Sequence, residues 1–192
     1  DKSWPVACSN TTLGEANKEL DLSGAYLSYG DFEEATFKGR GAIKLSGAGL
    51  ANADLSGSKL TAESGSGDAT IDFTGANLAH ADLSGSKLTA ESGSGDAIID
   101  FAEADLAHAD LSGSKITAYG RPTSPMPTLA NAPYGNATID FTGANFTDAD
   151  LSRSKLTADT IIGLPPASPL PPPSPPPPSP SPPPSPPPLV LP

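Results

Sequence analysis

One spacing dominates this chain of 192 residues: a large apolar side chain returns every five positions. The units fall at Leu22, Leu27, Phe32 and Phe37, then at Leu45, Leu50, Leu55 and Leu60. They continue at Phe73, Leu78, Leu83 and Leu88, at Phe101, Leu106, Leu111 and Ile116, and at Phe141, Phe146, Leu151 and Leu156. All 6 Phe of the protein sit in this register. Two positions earlier there is most often an alanine: Ala25, Ala48, Ala53, Ala76, Ala81, Ala104, Ala109, Ala144 and Ala149. A period of five fits neither the 3.6 of an α-helix nor the 2 of a plain strand.

A longer repeat contains the short one. The segment from Thr70 to Ala97, TIDFTGANLAHADLSGSKLTAESGSGDA, recurs almost verbatim on both sides of itself. Such periodicity marks a stacked array rather than a mixed globular core. The unit A-[DN]-L-x-x resembles the pentapeptide-repeat family over about residues 20–161. That resemblance implies an all-β fold, a right-handed quadrilateral β-helix with one pentapeptide per side. The large residue and the small one would both point inward.

Block spacing refines the expectation. Four units of five make 20 residues, whereas Leu45, Phe73 and Phe101 are 28 apart. The surplus of eight is ESGSGDAT, Glu63–Thr70, and its copy Glu91–Ile98; so much Gly and Ser predicts a loop at the same corner of each coil. A shorter excursion is expected near Gly39–Gly41 and a long loop over 119–138, with Pro122, Pro125, Pro127 and Pro133. About five coils at about 4.8 Å each give a stack of roughly 24 Å. Thr12 and Glu15 have capping-box spacing, which predicts a short helix in an N-terminal cap over 1–20. The β-helix would then occupy 21–162 and a proline-rich tail 163–192, with no comparable cap after Ile161.

Stacking in this register also orders the outside. Asp31, Asp54, Asp82, Asp110 and Asp150 should form an acidic row on the third side, and Lys59, Lys87, Lys115 and Lys155 a basic row on the fourth. Overall, 22 Asp+Glu oppose 11 Lys+Arg for a formal charge of −11, all of it within residues 1–164. An acidic balance argues against nucleic-acid binding by phosphate neutralisation. No apolar run approaches the roughly 18 residues of a membrane span. One cysteine, Cys8, cannot make an internal disulfide; it is read as lying outside the repeats, either as an intermolecular disulfide or as a buried free thiol.

The tail suggests a location. Eighteen of the 23 prolines fall within 165–192, and 171–188 reads PPPSPPPPSPSPPPSPPP. With φ held near −65° and few backbone donors, such a segment is expected to be polyproline II. At about 3.1 Å per residue the tail would reach roughly 85 Å. Its Ser-(Pro)n blocks resemble the extensins and pherophorin-type hydroxyproline-rich glycoproteins of plant and green-algal matrices. The resemblance implies hydroxylation and O-glycosylation at Pro171, Pro172, Pro173, Pro175, Pro176, Pro177, Pro178, Pro182, Pro183, Pro184, Pro186, Pro187 and Pro188, with further sugar on Ser174. Asn10, Asn136 and Asn145 begin N-x-[ST] sequons. The chain starts at Asp1, as would a mature form after signal-peptide removal or an excised fragment.

Candidate chemistry is sparse. His80 and His108 occupy equivalent positions on adjacent coils, with Asn52 before them and Asp148 after, the best candidates for a metal. No nucleophile–base pair or phosphate loop is visible, so no enzyme, no cofactor other than covalent glycans and no nucleic-acid partner are expected. The leading expectation is a secreted structural glycoprotein that self-associates into an extracellular fibril, sheath or wall. Two binding alternatives remain. One is a DNA-mimic topoisomerase inhibitor of the acidic pentapeptide-repeat kind. The other is an adhesin or ice-binding module using the row Thr61, Thr89, Thr117 and Thr157.

Overall fold

The computed structural model describes residues 6–120 and 135–165. Among them there is no helix; all regular structure is strand. The first strands are β1 (Thr12–Leu13), β2 (Leu20–Asp21), β3 (Thr36–Arg40) and β4 (Ala42–Lys44). Then come β5 (Lys59–Ser64), β6 (Ala69–Asp72), β7 (Lys87–Ser92) and β8 (Ala97–Asp100). The series closes with β9 (Lys115–Gly120), β10 (Ala137–Asp140), β11 (Lys155–Thr157) and β12 (Thr160–Ile162). Odd-numbered strands form one parallel six-stranded sheet in the order β1-β3-β5-β7-β9-β11, and even-numbered strands the other. The remaining two sides are columns of single bridges, Tyr26–Gly49–Asn77–Asp105–Asn145 and Ala7–Asp31–Asp54–Asp82–Asp110–Asp150. This is a quadrilateral β-helix.

The pentapeptide makes its corner by local chemistry. The carbonyl of the large residue accepts the N–H three residues on, as in Leu45 to Ala48 and Leu50 to Ala53, both at 3.0 Å. Such a turn needs positive φ at its third residue, which favours Gly and Asn. Gly47, Asn52, Gly57, Gly75, His80, Gly85 and His108 all fill that place with φ between 57° and 65°. On the first three sides the residue before the large one is most often Asp or Asn, whose side chain closes the same turn. Asp82 Oδ1 accepts the Ser84 N–H at 2.8 Å, and Asp110 Oδ1 accepts that of Ser112 at 2.7 Å.

Inside, identical positions stack. Phe73, Phe101 and Phe141 form one column, and Leu50, Leu78 and Leu106 the next, all buried. The small-residue position is not uniformly alanine. On the first side it is Ile43, Ile71, Ile99 and Ile139, fully buried. On the fourth it is Ser58, Ser86 and Ser114, buried with hydroxyls that have no hydrogen-bond partner.

Half of each expected Gly/Ser loop is strand instead. β5 runs through Ser64 and β6 resumes at Ala69, leaving only 65–68 as a turn. The inward residues of this extension are alanines, Ala62, Ala69, Ala90 and Ala97, so the two sheets close into a thin flange. Successive flanges stack closely. Asp68 Oδ1 accepts the Asp96 N–H at 2.9 Å, and Asp96 Oδ1 accepts the Asn136 N–H at 2.8 Å. A Cβ on Gly93 would overlap the Gly65 carbonyl oxygen, so glycine here serves backbone approach and not loop freedom. At the next flange, Tyr119 and Gly120 end β9 and β10 starts at Ala137. The expected long loop therefore narrows, and its 121–134 part lies outside the described residues.

The N-terminal helix does not form. Thr12 and Leu13 pair with Thr36 and Phe37 as parallel strand, and the Cys8 N–H bonds the Asp31 carbonyl at 2.7 Å. Residues 6–13 thus make the third and fourth sides of an incomplete coil. A free sheet edge supplies a continuous row of backbone partners, which a capping box cannot match here. Cys8 is accordingly part of the array, half-buried and packed against the core, rather than outside it. At the other end, β12 begins a further side, pairing Thr160–Ile162 with Thr138–Asp140.

Candidate functional surface

In-register parallel pairing turns sequence repeats into straight rows on the outside. On the odd-strand sheet Lys59, Lys87, Lys115 and Lys155 are successive partners, all exposed. Thr61, Thr89, Thr117 and Thr157 form the next row, and Glu63, Glu91 and Tyr119 a third. The Oγ1 atoms of Thr61, Thr89 and Thr117 are shielded from solvent and lack a hydrogen-bond partner. The threonine row therefore sits inside a charged lattice, not on a broad plane of threonines.

The acidic row stands on the neighbouring side, with Asp54, Asp82 and Asp110 half-buried and Asp31 and Asp150 exposed. Each carboxylate has a local task as a turn acceptor. Hydrogen bonds from the Ser152 N–H and then its hydroxyl hold the Asp150 carboxyl below its ordinary range, and Ser23 does the same for Asp21. Lys44 is raised, first by its 2.6 Å hydrogen bond to Glu19.

His80 and His108 stack face to face, with ring centroids 4.7 Å apart and planes 7° from parallel. His108 Nδ1 lies 3.7 Å from Asp148 Oδ2, at an exposed corner. Parallel stacked rings aim their nitrogens along parallel lines, not at one point. Among the described residues no group of three or more His, Cys, Asp or Glu side chains is placed to hold a metal.

The three sequon asparagines are exposed. Asn145 donates from Nδ2 to Asp105 Oδ1 at 2.9 Å and accepts from the Thr147 N–H and hydroxyl. The proline and serine candidates from Pro171 to Pro188 lie outside the described residues.

Residues 71–89 and 139–157 match the family model for pentapeptide repeats (8 copies). These two segments are pentapeptide repeats. Among solved structures the chain is similar to Rfr23, a pentapeptide repeat protein from the cyanobacterium Cyanothece 51142. Identity is 15%, covering 83% of this chain and 89% of that one, with a TM-score of 0.32. It is also similar to HetL, a pentapeptide repeat protein involved in heterocyst differentiation regulation from the cyanobacterium Nostoc sp. strain PCC 7120. There identity is 22%, coverage 78% and 73%, and the TM-score 0.19. A third is QnrB1, a plasmid-mediated fluoroquinolone resistance protein, at 20% identity, 80% and 92% coverage and a TM-score of 0.19. No curated protein matches the chain.

The pentapeptide register accounts for features that reading by large residues misses. Cys8 and Leu13 are five apart, the same spacing as Phe32 and Phe37, which they meet one coil on. The triplets Ile71-Asp72-Phe73, Ile99-Asp100-Phe101 and Ile139-Asp140-Phe141 carry the isoleucine column. The turn role of Asp and Asn was present as a preference in the repeat, without its geometry.

Proposed function

We propose that this pentapeptide-repeat protein is a non-enzymatic structural subunit that stacks head to tail with copies of itself. One observation carries the reading: among the described residues, apolar side chains at both ends of the solenoid are only partly buried. At the C-terminal end Phe146, Leu151 and Leu156 are only partly buried, and Ile161, Ile162 and Leu164 are exposed. At the other end Cys8, Leu13, Leu20 and Leu22 are likewise partly buried. Strands β11 and β12 end one stack of each sheet, and β1 and β2 begin it.

Unpaired parallel edges beside apolar columns are a template for further pairing. The next copy's first coil repeats the geometry of an internal coil, so β11 would meet β1 and β12 would meet β2. A heterologous contact of this kind does not close, and it generates a filament. The sequons and the Ser-Pro tail support placing that filament outside the cell, as a glycosylated matrix or wall component.

The test is sedimentation velocity and electron microscopy of the full chain against the variant Leu156→Lys/Ile161→Lys. The wild-type chain should form concentration-dependent linear species and the variant should stay monomeric. A wild-type chain that remains monomeric at high concentration contradicts the reading. A second reading, binding through an acidic face, has the unbroken Asp31–Asp150 row in its favour. The lysine row on the adjoining side interrupts that face, and tight topoisomerase binding by this chain would restore the idea.

A further inference from the structure

One face along the side of the stack combines charge, pitch and a concavity. Lys59, Lys87, Lys115 and Lys155 are exposed register partners on four successive strands. None joins an ion pair among the described residues, where the pairs are Lys18–Glu15, Lys44–Glu19 and His108–Asp148. The strand spacing places them at steps of about 4.8 Å, a straight row of about 14 Å. Lys38 extends the same face on the neighbouring strand, paired with Thr61. Where the row begins, a cavity of about 160 Å³ is lined by Ala16, Lys38, Gly39, Lys59, Thr61 and Glu63. In a chain of net charge −11, unpaired cations are thus gathered into one line. Like charges at this spacing repel one another and hold counterions, which a regularly charged ligand would release.

We propose that this face binds a linear acidic polysaccharide carrying one carboxylate per sugar, laid along the lysine row with its end in the cavity. In an extended two-fold chain successive sugars turn their carboxylates to opposite sides, so one edge presents them at about twice the strand spacing, in step with every second lysine. Glu63 repels a carboxylate from its corner of the cavity and suits a sugar hydroxyl there. A free anion meets one or two exposed ammonium groups, each worth little alone, whereas a polymer engages several at once. Duplex DNA fits poorly, because its charges come about every 1.7 Å of axis and wind away from a straight row. A second copy of the chain fits less well too, since its acidic row already accepts backbone N–H groups at the corners.

The experiment is titration calorimetry of the full chain with de-esterified polygalacturonate. Controls are monomeric galacturonate, the fully methyl-esterified polymer and a DNA duplex. Binding is expected to the acidic polymer alone and to weaken with salt. The variant K59Q/K87Q/K115Q/K155Q should bind at least about tenfold more weakly, as follows from losing several modest contacts. Its melting temperature should not fall, while K18Q/K44Q should keep its affinity. No binding by the wild-type chain, unchanged affinity in the quadruple variant, or equal binding to the ester or to DNA would each overturn the proposal.

Discussion

The ring of Phe101 lies 4.8 Å from that of Phe73 at an interplanar angle of 2°, and on its other side 5.2 Å from Phe141. The aromatic column is thus continuous across three coils, and Phe101 is its middle member. Phe101→Ala should cost about 3–5 kcal/mol, because the coils above and below cannot both collapse into the space. Phe101→Leu should cost less, since leucine fills the equivalent position in coil two at Leu45. Urea unfolding followed by far-UV circular dichroism distinguishes the two.

The corner acceptor can be separated from its charge. Asp110 Oδ1 holds the Ser112 N–H at 2.7 Å. Asp110→Asn keeps an acceptor and should be close to neutral. Asp110→Ala leaves that amide without its partner and should cost about 1 kcal/mol. Similar losses in both variants by chemical denaturation would show that the acidic row acts through charge and not through the turn.

Acid sensitivity should appear at the first and last coils, where Asp21 and Asp150 are lowered. Asp150 has its folded pKa lowered from 3.8, chiefly by the Ser152 N–H. A depressed carboxylate stabilises the folded state above its unfolded pKa, and that contribution is lost as pH falls through the lower folded value. The melting temperature should therefore hold from pH 7 to about 5 and decline below about 4. Asp150→Asn should flatten part of that decline, measured by thermal scans across pH.

Backbone conformation makes a sharper test at Gly85, which has φ +65° and open space where a Cβ would project. Gly85→Ala meets no clash and should still cost about 1 kcal/mol from left-handed strain. Gly85→Asn should cost less, as Asn52 already occupies the same corner at φ 58°. Equal stability of the alanine and glycine forms in denaturant titration would remove strain as the reason for glycine there.

Cys8 reports on end stacking. It lies half-buried on the face that a second copy would cover. Alkylation should proceed in dilute monomer and slow as linear species form, and in Leu156→Lys/Ile161→Lys it should stay independent of concentration. Labelling rates across a dilution series check this without any assumption about the tail.

The five-residue period and its Ala, Asp and Leu preferences were sufficient for the solenoid, its inward columns and its charged rows. The reason is that parallel in-register stacking copies each position directly above its equivalent. What the flanges and ends would do was not legible. Ser and Gly around 63–70 have the composition of a loop, yet Ala62 and Ala69 are buried because each flange lies on the one before it. Thr12–Glu15 has the spacing of a helix start, yet the free edge at Thr36 and Phe37 offers strand pairing. Both outcomes depend on a neighbouring coil that local sequence does not contain. The period alone thus determined what one coil is, and only stacking decided how deeply its large residue is buried, fully at Leu111 but partly at Leu151 and Leu156 in the last coil.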